Sequence, residues 1–306
     1  LVSLPETVTS LPNDAFDSWV TPCGGASSLN LEQCPCWRPC SGACEIAANR
    51  VRFSNDETCP DATSCEIGDG DCGVFCAGTV TGQTCAAATT CIVAGNGHCT
   101  IPSEFTSIAP WAFDGLESLT EETIHSGITS IGVFTFRGTR LTSVVLPNDL
   151  AEVPEEAFKS VTTLAEVAFG TGTTTIGPRA FFSTGLTSLV LPDSVTGVGV
   201  YAFAGLQSLT SLTFGTGIQT LGNYAFRGTG LTSLTLPSSL TDAGQYTFSS
   251  NNALASVTIE DGLERLRNGV FSECGSLTEV SIPGSVTRVE YAAFADCDAL
   301  SAVTLN

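Results

Sequence analysis

The 306-residue chain is 42% hydrophobic and only 14% charged, with 11 Lys and Arg against 31 Asp and Glu, a formal net charge of −20. That surplus of carboxylates repels phosphate backbones and anionic headgroups, which argues against nucleic acid or a membrane surface as partner. No apolar run approaches the length of a membrane span, so membrane insertion is not expected.

The chain opens with Leu1–Phe16, LVSLPETVTSLPNDAF, in which Val2 and Leu4 alternate as on a strand and Phe16 follows Pro5 by eleven residues. The same interval separates Pro192 from Phe203, Pro237 from Phe248 and Pro283 from Phe294. Residues 1–19 therefore read as one coil of the repeat that fills residues 100–306.

Residues 20–99 interrupt that repeat and carry Cys23, Cys34, Cys36, Cys40, Cys44, Cys59, Cys65, Cys72, Cys76, Cys85, Cys91 and Cys99. A dense, even set of cysteines with little apolar periodicity reads as a disulfide framework, each bridge contributing about 2–4 kcal/mol that a small core lacks. A zinc site fits less well, because Cys36 to Cys40, Cys40 to Cys44 and Cys72 to Cys76 are CxxxC spacings, no CxxC occurs, and only His98 is at hand. Gly68–Gly73 matches the phosphate-cradling GxGxxG, but Asp69 and Asp71 inside the match would repel a phosphate. With Glu66 the same two aspartates offer the hard oxygens that Ca²⁺ takes in extracellular modules, against the plainer reading of a solvated acidic turn. No other cofactor is indicated. The absence of any Met predicts a processed chain or an excised segment, and the cysteines favour a removed secretory signal and a secreted or cell-surface setting.

From residue 100 to 306 one phrase recurs. Phe113, Phe136, Phe158, Phe181, Phe203, Phe226, Phe248, Phe271 and Phe294 follow each other at near-constant intervals that differ by no more than one position, the signature of a solenoid. Leu186–Phe203, LTSLVLPDSVTGVGVYAF, shows the unit. Its first half alternates with period two, as a strand with one buried face does; Pro192 ends the strand because it has no N–H; and Gly-Thr-Gly turns such as Gly170–Gly172, Gly215–Gly217 and Gly228–Gly230 reverse the chain. The fold expected is mainly β, a solenoid of 22–23-residue coils interrupted by a disulfide-rich, loop-rich insertion.

The phrases LTSVVLP, SVTRVEYAAF and SECGSLTEVSIP resemble the BspA-like branch of the leucine-rich repeats, whereas the cysteine-rich insertion resembles no family. The resemblance implies the solenoid fold and company among surface adhesion and recognition proteins; it implies no particular activity. Cys274 and Cys297 are one repeat apart and occupy the same position of adjacent coils. Coil spacing allows a bridge between them, and the resemblance equally implies a buried ladder of two small thiols.

Enzymatic constellations lack material. His98 lies beside Cys99 and His125 ends a repeat strand, so nucleophile–histidine pairs have little to draw on, and nothing singles out a carboxylate pair. The chain is not expected to be an enzyme. More informative are two outward columns of the repeat strand, one with Thr123, Val145, Ala168, Val190, Thr213, Thr235, Thr258, Ser281 and Thr304, the other with Glu121, Ser143, Glu166, Ser188, Ser211, Ser233, Ser256, Glu279 and Ala302. Small side chains lose little rotamer freedom when a partner docks, and small β-formers also simply suit a ladder. No Asn-x-Ser/Thr sequon occurs.

Neither end of the repeat shows a polar cap. Val2 and Leu4 open on a strand, and Leu300, Val303 and Leu305 close on one, so head-to-tail stacking into a filament is the sharper expectation. The function expected is an extracellular structural subunit of a filament, appendage or surface layer, assembling with itself through the ends and the Ser/Thr face. The alternative is a cell-surface adhesion or recognition module binding a protein or glycan.

Overall fold

The structure is a computed structural model, described here for residues 75–76, 98–101 and 105–306. The coil at 1–19, the calcium candidates Glu66, Asp69 and Asp71, and every insertion cysteine except Cys76 and Cys99 lie outside the described residues. Among the described residues all regular structure is β-strand, arranged as a parallel solenoid of about nine turns.

Each turn contributes one strand to each of two ladders. The main ladder runs from His98–Thr100 through Ser143–Val145, Ser188–Val190 and Ser233–Leu236 to Ala302–Leu305; the second, of two-residue strands, runs from Ser107–Ile108 through Thr175–Ile176 to Arg288–Val289. Pairing is parallel and joins equivalent residues, for example Ser188 with Ser211 and Val190 with Thr213. Phe75–Cys76, from the cysteine-rich segment, lies antiparallel against Ser107–Ile108, the first strand of the second ladder.

The period-two alternation places Leu189 and Leu234 inside at 2% and 3% exposure while Ser188, Val190, Ser233 and Thr235 face out. Opposite the ladders runs a column of phenylalanines. Phe113 to Phe271 are buried in every coil, and each ring stacks on the next at 5.1–5.6 Å between centroids, within 12° of parallel. A buried Phe is worth about 1.5–3 kcal/mol, and an offset aromatic pair adds about 0.5–1.5 kcal/mol.

A third line of bonds follows this column, outside any strand. Phe181 N–H donates to the Ala202 carbonyl at 2.8 Å and Phe203 N–H to that of Ala225 at 2.8 Å, with matching bonds two residues to either side, such as Tyr201 N–H to Asn223. Both flanking positions are left-handed. Two residues after the Phe stand Gly115, Gly138, Gly205 and Gly228, or a small or acidic residue such as Ser160 and Asp296; two residues before stand Trp111, Phe134, Glu156, Arg179, Tyr201, Tyr224 and Tyr246, at φ between 52° and 65°. A bulky left-handed residue costs about 1–2 kcal/mol, and here it recurs because the bend lets alternate N–H groups reach the next coil.

The first glycines of the turns at Gly170–Gly172 and Gly215–Gly217 are explained by proximity, whereas that of Gly228–Gly230 is one of the left-handed residues above. A Cβ on Gly170 would lie 2.0 Å from the Pro147 carbonyl oxygen, and one on Gly215 2.4 Å from the same part of Pro192. Neither glycine has positive φ. Each is there because the preceding coil's proline turn passes directly beneath it.

Candidate binding face

Because the main ladder pairs in register, equivalent outward side chains line up along the stack. Both predicted columns are exposed from Ser143 to Thr304, and Ser188, Ser211 and Ser233 stand beside Thr213, Thr235 and Thr258 as expected. A further outward column precedes them, where Thr210 and Thr278 Oγ1 donate to the carbonyls of Thr187 and Ala255. The face is charged only at Glu166 and Glu279 between Ser143 and Thr304. It is also divided. In the outermost column Val145 and Val190 are 67% and 64% exposed with Ala168 between them, whereas from Thr213 onward that column is hydroxylated.

Three surface features were not anticipated from the sequence. On the second ladder, Thr129, Thr174, Thr196, Thr241 and Thr287 each donate Oγ1 to a carbonyl of the coil before, giving that side hydroxyls too; the Thr-Ser-Ile and Thr-Thr-Ile phrases before the glycines carried that signal. The left-handed position before each Phe forms an aromatic row, with Trp111 on Phe134 at 3.9 Å and Tyr201, Tyr224 and Tyr246 stacked at 4.7 and 5.2 Å. Between those two blocks lies an ionic cluster. Arg137 binds Asp114 through Nε and Nη2 at 2.7 and 2.9 Å and covers the Trp111 and Phe134 rings, while Lys159 reaches buried Glu156 at 2.8 Å.

Cys274 and Cys297 are unbridged. Each thiol donates to a backbone carbonyl, Cys274 to Phe248 at 3.3 Å and Cys297 to Phe271 at 3.1 Å. The neighbouring Cys297 sulfur and burial both push the Cys274 thiol up, so it stays protonated. Cys76 and Cys99 lie in the strands Phe75–Cys76 and His98–Thr100.

His125 Nδ1 accepts the Gly127 N–H at 3.1 Å, a turn contact. Among the described residues no three His, Cys, Asp or Glu side chains are grouped to hold a metal ion, and no helix is long and apolar enough to cross a membrane. At the last coil Val303 and Leu305 are 51% and 76% exposed, whereas Val280 and Ile282, their counterparts one coil earlier, are at 2% and 4%; Leu300 is half-buried against the core.

A two-ladder parallel solenoid with a stacked Phe column defines a leucine-rich-repeat protein. The family model of the BspA type leucine rich repeat region matches in six copies, over residues 96–196 and 174–301, and the chain belongs to that family. Among solved structures, a leucine-rich repeat protein from Bacteroides ovatus is 18% identical over 68% of this chain and 82% of its own, at a TM-score of 0.39. A leucine rich cell surface protein from Faecalibacterium prausnitzii is 20% identical over 68% and 79%, at 0.39, and the pneumococcal vaccine antigen PcpA is 20% identical over 67% and 59%, at 0.46. No curated protein matches the chain.

Proposed function

We propose that the solenoid is an extracellular recognition or adhesion module that binds a protein or glycan on its main-ladder face. The observation carrying this reading is the face itself, with outward columns of exposed, small, mostly hydroxylated side chains from Ser143 to Thr304. Docking on such a surface freezes few rotamers, and the stacked coils beneath hold it rigid. Membership of the BspA-type family and a cysteine-dense segment support the extracellular setting. No step of chemistry is assigned to the chain.

Binding of the purified protein to immobilised extracellular proteins and glycans tests the reading. Saturable binding lost in Ser211→Lys/Ser233→Lys, and kept when the exposed, opposite-side Asn223 and Gln245 become Lys, is expected; equal binding by both variants overturns it. Sedimentation separates this function from the filament or layer subunit also expected from the sequence. A recognition module stays monomeric until its ligand is added, whereas a subunit stacking end to end self-associates alone.

A further inference from the structure

The main-ladder face changes character half-way, and its first half names a partner chemistry. Val145, Ala168 and Val190 form an exposed aliphatic strip across three adjacent coils. Glu166 flanks the strip within the ladder, and Asp149 and Asp193 flank it in the turns after the strands, all exposed. Glu166 and Asp149 have no ion-pair partner among the described residues, and Asp193 accepts from Thr216, whose N–H lies at 2.7 Å. Among the described residues the sole cation near this strip is Arg140, already paired with Glu117 at 3.3 Å.

The other described cations lie elsewhere on the coil. Arg137, Lys159, Arg179 and Arg227 border the Phe column, Arg265 and Arg288 are on the second ladder, and Arg267 follows that ladder, bound to Asp242 at 2.6 Å. Segregation of charge to this degree gives the strip a negative rim around an apolar floor. The outward columns carry no aromatic ring, the platform sugars use, so complementarity favours a protein over a glycan.

We propose that this strip docks a segment of a basic partner protein, which sets small aliphatic side chains over Val145, Ala168 and Val190 and places Lys or Arg beside Glu166, Asp149 and Asp193. The assignment rests on the recognition reading above and adds the partner's chemical class. The hydroxylated half, from Thr213 onward, has acids of its own in Glu260, Asp261 and Glu279 but no aliphatic floor for such a segment.

The probe is a capped octapeptide of alternating Lys and Val, titrated calorimetrically against the whole protein, with its Glu-Val analogue as control. Expected are saturable one-to-one binding of the Lys-Val peptide that weakens with salt, and none of the Glu-Val peptide. Val145→Lys/Val190→Lys weakens it roughly tenfold or more, while Thr258→Lys/Thr304→Lys, the same charge change on the other half and well away from Val190, alters it less than about twofold. Circular dichroism confirms that both variants keep the fold. Equal weakening in the two variants reduces the effect to bulk charge and overturns the proposal, as does absence of saturable binding. If ladder-face variants still abolish binding to the immobilised panel, the recognition reading survives that failure and only the basic partner falls.

Discussion

The coils between Glu121 and Ser233 and those between Ser233 and Asn306 are built from the same phrase, yet their main ladders differ. In the first region every second coil is one residue shorter, and the ladder breaks into pairs: Ser143–Val145 with Glu166–Ala168, and Ser188–Val190 with Ser211–Thr213. In the second region every coil has the longer length, and Ser233–Leu236, Ser256–Ile259, Glu279–Ile282 and Ala302–Leu305 form one continuous four-stranded sheet. Each break falls on a shorter coil, where only one or two bonds ahead of the strands bridge the gap, such as Thr187 N–H to the Ala165 carbonyl at 3.4 Å.

The missing residue is in the loop between the buried Phe and the next strand. Longer loops place Leu116, Val161, Leu206, Asn251, Cys274 or Cys297 three residues after the Phe. Shorter ones place Thr139, Thr184 or Thr229 there; Thr139 and Thr184 turn the hydroxyl back onto the Phe carbonyl, at 2.9 and 3.1 Å. A coil one residue short returns the chain with its peptide groups out of line, and a parallel ladder needs aligned groups for its slanted bonds. The Phe column tolerates both lengths because packing is non-directional, so core continuity and ladder continuity are separate properties here.

Breaking the shared core has the largest effect in either region. Phe203→Ala opens a cavity in the middle of the ring stack and costs about 3–5 kcal/mol in chemical denaturation. Phe294→Ala, at a half-buried ring covered from one side, costs visibly less; equal losses would mean that the stack does not act through burial. Next comes Gly215→Ala, whose methyl must displace the Pro192 backbone 2.4 Å away. It costs about 1–3 kcal/mol, whereas Gly228→Ala, with nothing within 4 Å of its Cβ but φ of +67°, costs about 1 kcal/mol from backbone strain alone.

The loop-length argument is sharpened by moving the residue. Inserting one alanine between Thr184 and Gly185 should join Glu166–Ala168 to Ser188–Val190 and slow amide exchange there about tenfold, while deleting Gly275 should split the continuous sheet and speed exchange at Glu279–Ile282. No change in either variant would leave the breaks without this cause.

The aromatic row predicts a smaller effect. Tyr224 stacks on Tyr201 and Tyr246 in a left-handed conformation, so Tyr224→Ala keeps the strain and loses both contacts, about 1–2 kcal/mol. Tyr224→Gly loses the contacts but sheds the strain, and should be the more stable of the two. A reversed order would show that the ring and not the backbone sets the cost.

Smallest is an acid-side effect at the first region's proline turn. The Thr216 backbone N–H and then its side chain hold the Asp193 carboxyl below its ordinary value. A depressed folded-state value contributes stability that is present above the unfolded value, near pH 4, and is lost as pH falls through the folded one. Asp193→Asn, which cannot ionise, should therefore be slightly less stable than the parent at neutral pH, with the difference closing as pH falls below about pH 4; a difference that does not depend on pH would count against the bond.

Much of this was legible because a repeat states itself many times. The steps between phenylalanines gave the coil, the alternation in Leu186–Leu191 gave the buried and outward sides of the strand, and the outward columns are exposed as expected from Ser143 to Thr304. Less legible was the left-handed position before each Phe, since a sequence with Trp111, Glu156, Arg179 and Tyr224 there carries no glycine to announce positive φ. The Gly-Thr-Gly phrases announced chain reversal, but not that Gly170 and Gly215 serve close approach whereas Gly228 serves a left-handed bend.

What the sequence by itself determined is what recurs within each coil: period, strand, inner and outer residues, and the family that shares them. Tertiary structure decided what depends on neighbouring coils. It broke or joined the ladder at single-residue differences in length, turned the Cys274 and Cys297 thiols onto carbonyls of the coil before, and set exposed Asp149 and Asp193 beside the column of Val145, Ala168 and Val190. The reason is that a coil's own pattern is local, whereas alignment between coils depends on where the chain returns after a longer or a shorter loop.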